Sequence, residues 1–360
     1  MNSDKKKQTI LIADDSPENI AMLSAILGKE YTVKVALEGE KALEIAINPE
    51  SLPDLILLDV MMPGMSGYEV CQQLKGNPLT RNIPVIFISA LGETMDESKG
   101  FEVGGVDYIT KPVVAAIVRA RVKTHLALYD QNRFLEERVR ERTRELGLTQ
   151  DVTIVGFATL AEFRNQETGS HIMATQQFVS SLARYLAPHP KFSSFLNSEN
   201  VELLRKSAPL HDIGKIAVPD SILLKPGKLT PEEFEEIKKH TTYGRDALER
   251  AEQALGNTRS SFLRIAKEIA YTHHERWDGS GYPQGLRDEN IPISGRLMAL
   301  ADVYDALTSK RVYKEAYGYE EAGEQIRSER GKHFDPDVVD AFLDLEVVFE
   351  NISKSLHHHE

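Results

Sequence analysis

The sequence predicts a multidomain chain: an α/β domain with a doubly wound five-stranded parallel sheet, then a connecting helix, then an all-α domain. Three observations lead there. Short apolar runs alternate with amphipathic stretches over residues 9–127. A helical pattern then runs from Pro112 towards Leu148 without a clear break. From about residue 150 the pattern is helical, with no convincing strand alternation. The expected boundaries are 1–127 for the first domain, 128–149 for the connecting helix and 150–355 for the second domain.

Each element has a local reason. The runs TILIA (9–13), TVKVA (32–36), DLILLD (54–59), PVIFIS (84–89) and VDYIT (106–110) are short, β-branched and bounded by polar or turn residues. That is the pattern of strands covered on both faces. The stretches between them, such as PENIAMLSAILGKE, read as helices. In the highly charged connecting segment, Leu128, Leu135, Val139 and Leu146 fall on a heptad stripe that Asn132 and Arg142 interrupt. A coiled-coil dimer and a solvated single helix both fit it. In the second domain Thr230-Pro231-Glu232-Glu233 reads as a helix start: an N-cap, proline at the first position, then acids in the first turn.

Composition narrows the function. A chain of 360 residues, 41% hydrophobic and 27% charged, excludes disordered and collagen-like classes. A net charge of −12 argues against DNA binding, which needs a basic footprint. A small anionic ligand would need local cations. With one cysteine, Cys71, no intramolecular disulfide can form, which fits a reducing compartment. The start MNSDKKKQTI lacks the apolar stretch of a secretory signal, and no run approaches the ~20 apolar residues of a membrane span. A cytoplasmic protein is expected. The tail 356–360 (Leu356, three histidines, Glu360) resembles the remnant of a purification tag.

Strand ends carry the first chemical signal. The first strand ends at Asp14-Asp15, the third at Asp59, the fourth at Ser89 and the fifth at Lys111-Pro112. The carboxyl ends of parallel strands line one crevice, so three carboxylates, a hydroxyl and an ammonium converge there. Such carboxylates suit Mg²⁺, which orients a phosphoryl donor for attack by a carboxylate. Over about 120 residues these positions, with VMMPGMSG after Asp59, resemble the response-regulator receiver family, a flavodoxin-like fold. The resemblance implies that Asp59 accepts the phosphoryl group. By it, Asp14 and Asp15 hold Mg²⁺ together with Asp59, Ser89 and Lys111 contact the phosphoryl oxygens, and Tyr108 reorients on activation. It also implies a cis bond before Pro112 and a cognate histidine kinase as phosphodonor.

The second half holds five histidines in motif contexts: His171, His211, His240, His273 and His274, with Glu167, Asp212 and Asp302 beside them. Glu167 and His171 are four residues apart, so a helix would place both on one face. His211 and Asp212 are adjacent and on a helix would point about 100° apart. Imidazoles and carboxylates without cysteine favour iron or manganese over a zinc–thiolate site. Eight candidate ligands exceed the needs of one ion, so two or three are implied, an arrangement that suits phosphodiester cleavage. His125, His189 and His333 read as ordinary packing or surface residues.

The motifs HDIGK (211–215), VPDSILLKPGKLTPEE (218–233), HHERWDGSGYP (273–283) and ADVYDALTSKRVYKEA (301–316) resemble the HD-GYP family across about 180 residues. The resemblance implies an all-α HD-type domain that cleaves cyclic di-GMP. It implies that His171, His211, Asp212, His240, His273, His274 and Asp302 are metal ligands, with Asp212 bridging two ions and Glu167 the carboxylate of a third. Lys215 would stabilise the phosphate or leaving oxygen, making His211, Asp212 and Lys215 the catalytic core. Arg311 and Lys314 would clamp substrate phosphates. Gly281-Tyr282-Pro283 forms the GYP turn, which Glu275 and Asp278 could support; Tyr282 could pack or touch substrate or partner. Around the first metal histidine the stretch Asn165-Gln166-Glu167 to Ala174 departs from the family's usual Asp before the Glu and basic residues after the His. That bears on turnover rather than fold.

The expected function is therefore a response regulator that hydrolyses cyclic di-GMP to the linear dinucleotide, GMP or both, controlled by phosphorylation of Asp59. A homodimer is expected, and diguanylate cyclase domains are candidate partners of the GYP turn. Two alternatives stay open: a non-catalytic phosphorylation-dependent scaffold, and a hydrolase of another cyclic dinucleotide such as cyclic GMP-AMP.

Overall fold

A computed structural model describes residues 7–90, 94–163, 169–256, 262–309 and 316–357. The chain divides into two compact units between Arg144 and Glu145.

The first unit is a doubly wound sheet. In chain order it runs β1 (Thr9–Ala13), α1 (Pro17–Leu27), β2 (Thr32–Ala36), α2 (Gly39–Ala46), β3 (Leu55–Asp59), α3 (Gly67–Gly76), β4 (Val85–Ala90), α4 (Thr94–Glu102) and β5 (Asp107–Lys111). The sheet order is β2-β1-β3-β4-β5, with every pair parallel. All of β3 and nearly all of β1 is buried, as expected of central strands covered by helices on both faces. The two layers of core are separate. One gathers Leu11, Ile56, Leu58, Val70, Leu74 and Phe87; the other gathers Ile10, Leu23, Leu27, Leu57, Ile86 and Val122. Alternate residues of β1 and β3 thus serve opposite faces. Helices start where side chains can cap them. Ser16 accepts from the Asn19 amide ahead of α1, and Ser66 with Glu69 forms a reciprocal capping box on α3.

The helix α5 spans Ala115–Phe163, 49 residues, well beyond the expected linker on both sides. Its first turns bury Val118, Val122 and Leu126 against the sheet. Its middle is solvent-exposed, Leu135, Val139 and Leu146 included. Its last turns bury Ile154 and Ala158 in the second unit.

The second unit is helical. It runs α6 (Gly169–Leu186), α7 (Ser198–Ser207), α8 (Asp220–Leu223), α9 (Pro231–Lys238), α10 (His240–Ala254), α11 (Phe262–Thr272), α12 (Ile293–Thr308), α13 (Tyr319–Ser328), α14 (Pro336–Asp344) and α15 (Glu346–His357). The main core gathers Phe178, Leu182, Leu204, Leu297, Tyr304 and Phe342 around α6 and α12. Leu356 packs against this core. The expected helix start at Thr230 is present, and there Thr230 and Glu233 form a capping box at the head of α9. His211 and Asp212 do not sit on an α-helix. They lie between two short 3-10 turns, Ala208–Leu210 and Ile213–Ala217. Pro209 contributes no amide proton there, and Gly214 permits the close packing described below.

Cys71 lies fully buried on α3, its thiol directed at the Val103 carbonyl. Burial pushes its pKa up to about 11. The thiol therefore stays protonated until the pH approaches that value. At pH 7.5 its thiolate fraction is roughly two- to three-hundredfold below that of a free cysteine. Alkylation of the folded protein at pH 7.5 should be slower than after unfolding by at least that factor; equal rates in the two states would contradict the buried placement.

Candidate functional site

In the first unit the order of strands reverses between β1 and β3, and the acids sit at that switch point. Asp14 and Asp59 are buried, Asp15 is exposed, and the three offer oxygens within 4.8 Å of one another. Lys111, at the end of β5, places Nζ 2.7 Å from Asp59 Oδ2 and 3.2 Å from Asp14 Oδ2. Asp14 is fixed further by the Ser16 amide at 2.9 Å and the Asn19 side chain. Burial, reinforced by Asp14, raises the Asp59 pKa against the opposing pull of Lys111. Burial draws the Lys111 pKa down, but hydrogen bonds and charge from Asp59 and Asp14 outweigh it and leave the ammonium raised.

Ser89 lies one residue past the register partner of Asp59 on β4. Tyr108 is buried, with its ring stacked on Phe87 at 5.8 Å and edge-on to Phe101 at 5.1 Å. The Lys111–Pro112 bond is cis.

In the second unit, His171 comes from α6, His211 and Asp212 from the 3-10 turns, His240 from the first residue of α10, His273 and His274 from just past α11, and Asp302 from α12. Asp212, His240, His273 and His274 offer ligand atoms within 4.8 Å of one another. Asp212 Oδ1 is 3.3 Å from His240 Nε2, and its Oδ2 is 3.3 Å from His211 Nε2. Asp212 therefore stands between two imidazole pairs. Asp302 Oδ1 lies 3.8 Å from His171 Nε2 and 4.0 Å from His211 Nε2. Lys215 Nζ is 2.6 Å from Asp212 Oδ2.

The imidazoles are oriented from behind. His171 Nδ1 faces Asp305 Oδ2 at 2.7 Å, His211 Nδ1 the Ala208 carbonyl at 3.0 Å, His240 Nδ1 the Ile237 carbonyl at 2.6 Å, and His273 Nδ1 the Ile269 carbonyl at 3.0 Å. Each partner is an acceptor, so each Nδ1 carries a proton, and a ring that is neutral turns a lone pair on Nε2 inward. Those lone pairs meet: His171 and His211 Nε2 are 3.4 Å apart, and His240 and His273 Nε2 are 3.5 Å apart. Facing lone pairs at that distance require a cation between them, either a proton or a metal. Asp212 Oδ1, buried and without a hydrogen-bond donor, is aimed at the same point. Burial lowers the pKa of His240 to about 4, so at neutral pH that ring keeps its lone pair, and burial holds His274 well below the ordinary value. At the other pair, burial also lowers His171, but Asp305, Asp302 and Glu162 outweigh it and raise the pKa to about 10, which marks where positive charge is favoured. The donor set fits a divalent metal.

Residues 164–338 match the family described as the HD domain, and residues 10–123 match the response regulator receiver domain. A probable cyclic di-GMP phosphodiesterase of Vibrio cholerae is 49% identical over 358 residues, 98% of this chain and 80% of that protein. The chain belongs to the response regulators that join a receiver domain to an HD domain. A cyclic di-GMP phosphodiesterase of Thermotoga maritima is 39% identical over 354 residues, covering 94% of this chain and 90% of the relative. A 3′3′-cGAMP-specific phosphodiesterase 2 of Vibrio cholerae is 39% identical over 206 residues, 57% of this chain and 35% of that protein. A receiver domain implies a phosphodonor such as a histidine kinase, and an HD domain implies a divalent metal. No helix among the described residues is long and apolar enough to cross a membrane.

Two glycines make the HD domain's geometry attainable. A Cβ at Gly214 would fall onto the His240 carbonyl oxygen, so only glycine lets the His211–Asp212 turn press against the start of α10. A Cβ at Gly281 would strike the Arg276 amide and the His274 carbonyl, so the GYP turn folds directly over the paired histidines. Glu275, fully buried, holds that turn by accepting from the Gln284 amide at 2.8 Å and the Leu286 amide at 3.0 Å. Asp278 caps Ser280 within it. The Tyr282 ring stands 4.8 Å from His274, with Lys238 Nζ 5.4 Å from its centroid. Tyr282 thus packs on His274, and Pro283 is exposed.

Glu167, Arg311 and Lys314 lie outside the described residues. Two residues that the sequence motifs did not single out are present in the site. Asp305 is one turn along α12 from Asp302 and orients His171. Glu162, at the end of α5, forms a third ligand-capable group with His171 and His211.

Asp305→Asn keeps the shape and an acceptor oxygen but removes the charge behind His171. Metal affinity should fall about 10–100-fold, as for other outer carboxylate–histidine pairs. A metal titration of the purified protein reads this directly, and an unchanged affinity would show that the contact orients nothing.

Proposed function

We propose that this response regulator hydrolyses cyclic di-GMP to the linear dinucleotide, GMP or both, under control of phosphorylation at Asp59. The observation that carries the reading is the set of imidazole Nε2 atoms facing one another across Asp212, with the Lys215 ammonium 2.6 Å from that carboxylate. A ligand set without cysteine, holding two or three iron or manganese ions, supplies a nucleophilic hydroxide at neutral pH and neutralises charge on the phosphodiester when bound.

The chain's own residues do the rest. His171, His211, His240, His273 and His274 hold the centre through nitrogen, and Asp212 and Asp302 hold it through oxygen, with Asp212 shared between the two imidazole pairs. Lys215 keeps a fixed positive charge beside Asp212, where it stabilises a phosphate oxygen as charge develops. Tyr282 and Lys238 wall the His274 side. Arg311 and Lys314 add positive charge for the second phosphate. Names of relatives spanning most of the chain support cyclic di-GMP as the substrate; the 3′3′-cGAMP-specific relative supports a second reading limited to the choice of cyclic dinucleotide.

In the receiver domain, Asp59 accepts the phosphoryl group from a histidine kinase. Mg²⁺ is held by Asp14, Asp15 and Asp59, while Ser89 and Lys111 meet the phosphoryl oxygens and Tyr108 responds. The exposed heptad positions of α5 support a homodimer, and the GYP turn is the surface offered to diguanylate cyclase domains.

The deciding experiment loads the protein anaerobically with iron or manganese and supplies cyclic di-GMP and 3′3′-cGAMP separately. Linear product from cyclic di-GMP at the higher kcat/KM bears the proposal out; preference for 3′3′-cGAMP supports the second reading, and full metal with neither cleaved overturns both. Asp212→Ala should cut turnover by at least about a hundredfold and reduce metal per chain. Asp59→Ala should leave metal per chain unchanged and abolish the response to a small-molecule phosphodonor. Metal loss in that variant would contradict two separate sites.

A further inference from the structure

We infer that Glu162, on the last turn of α5, is a ligand of the metal centre at its His171–His211 end. The inference rests on the reading of the HD domain as a metal-dependent hydrolase, and it adds a residue that no motif of that domain contains.

The placement comes from helix periodicity. Ile154, Ala158 and Ala161 of α5 are buried, and Ile154 and Ala158 pack with Ile172, Leu210, Leu263 and Ala266. Glu162 follows Ala158 by four residues and Ile154 by eight, so it lies on the same stripe. A stripe position facing a core ordinarily takes an apolar residue. Here it carries a carboxylate that is only 2% exposed.

Its neighbours form a ligand-capable group. Glu162 Oε1 is 3.8 Å from His171 Nε2, too long for a hydrogen bond but suited to two ligands of one ion, which lie about 3–4 Å apart for bonds of about 2.1 Å. Glu162, His171 and His211 offer ligand atoms within 4.8 Å of one another. Asp302 Oδ1 lies beside this group, 3.8 and 4.0 Å from the same two nitrogens. Imidazole nitrogens with a carboxylate oxygen and no thiolate suit ferrous iron or manganese. The group of Asp212, His240, His273 and His274 forms the other end. The helix stays in register because Asp151, three turns earlier, pairs with Arg205 at 2.8 Å and Lys206 at 3.2 Å on α7.

The test is metal content of the full chain, measured by elemental analysis after anaerobic loading with Mn²⁺ and removal of excess, for wild type, Glu162→Gln and Glu162→Asp. Glu162→Gln keeps the volume and should hold about one ion per chain fewer than wild type, with the remaining metal retained. Glu162→Asp keeps the charge on a shorter arm and should regain the ion only at about 10–100-fold higher Mn²⁺. Wild-type metal content and affinity in both variants would overturn the inference. Should Glu162→Gln not fold, the affinity of Glu162→Asp decides alone: weakened supports the ligand role, unchanged overturns it. No nucleotide enters the measurement. A wild type that loads metal and leaves cyclic dinucleotides uncut therefore sinks the proposed activity without touching this assignment.

Discussion

The HD domain is organised around imidazole rings tied from behind. Carbonyls at Ala208, Ile237 and Ile269 and the carboxylate of Asp305 each accept from an Nδ1, and that fixes the tautomer and direction of four rings at once. Three of those acceptors are backbone atoms three or four residues upstream of their own histidine. Orientation is therefore built into the local turn rather than borrowed from a distant side chain. The arrangement is costly without a cation, because it sets lone pairs against each other in a buried space. The surrounding helices hold the rings in place regardless.

The receiver domain meets a related problem differently. Two of its three convergent carboxylates, Asp14 and Asp59, are also buried, but a protein ammonium already stands among them: Lys111 reaches both. The charge partner there is part of the sheet, and its stem comes from the end of an edge strand. In the HD domain Lys215 neutralises one oxygen of Asp212 and leaves Oδ1 directed at the imidazoles. In each site one ammonium stands against more than one carboxylate, so both keep a negative charge that favours a cation.

Much of this was legible in the residues because the signals are local. The strands fall within one residue of the apolar runs, since a buried parallel strand writes its length directly as a β-branched run. The helix start at Thr230 was likewise readable, and the cis bond before Pro112 followed from the family resemblance. The motif histidines converge because each motif carries its own turn. What escaped depended on longer-range facts. The His211–Asp212 segment looked helical by composition, but Pro209 and the close approach at Gly214 favour 3-10 turns. Asp305 is spaced three residues from Asp302 on an otherwise apolar helix, a signal that was present but outweighed by the motif next to it. Glu162 had no motif at all; its clue was a carboxylate at a core position of a helical stripe, which becomes visible only once the helix is known to run to Phe163.

The length of α5 follows from its own sequence. The segment around 130–146 is exposed and charged, and by itself it would be a weak helix-forming region held by pairs such as Arg138–Glu141, each contributing only tenths of a kcal/mol. Both flanks are anchored by burial: Val118, Val122 and Leu126 at one end, Ile154 and Ala158 at the other. Helix propagation needs no new nucleus once either flank is formed, so the exposed middle is completed from its ends. The same helix that begins four residues after Lys111 therefore ends with a buried carboxylate beside His171.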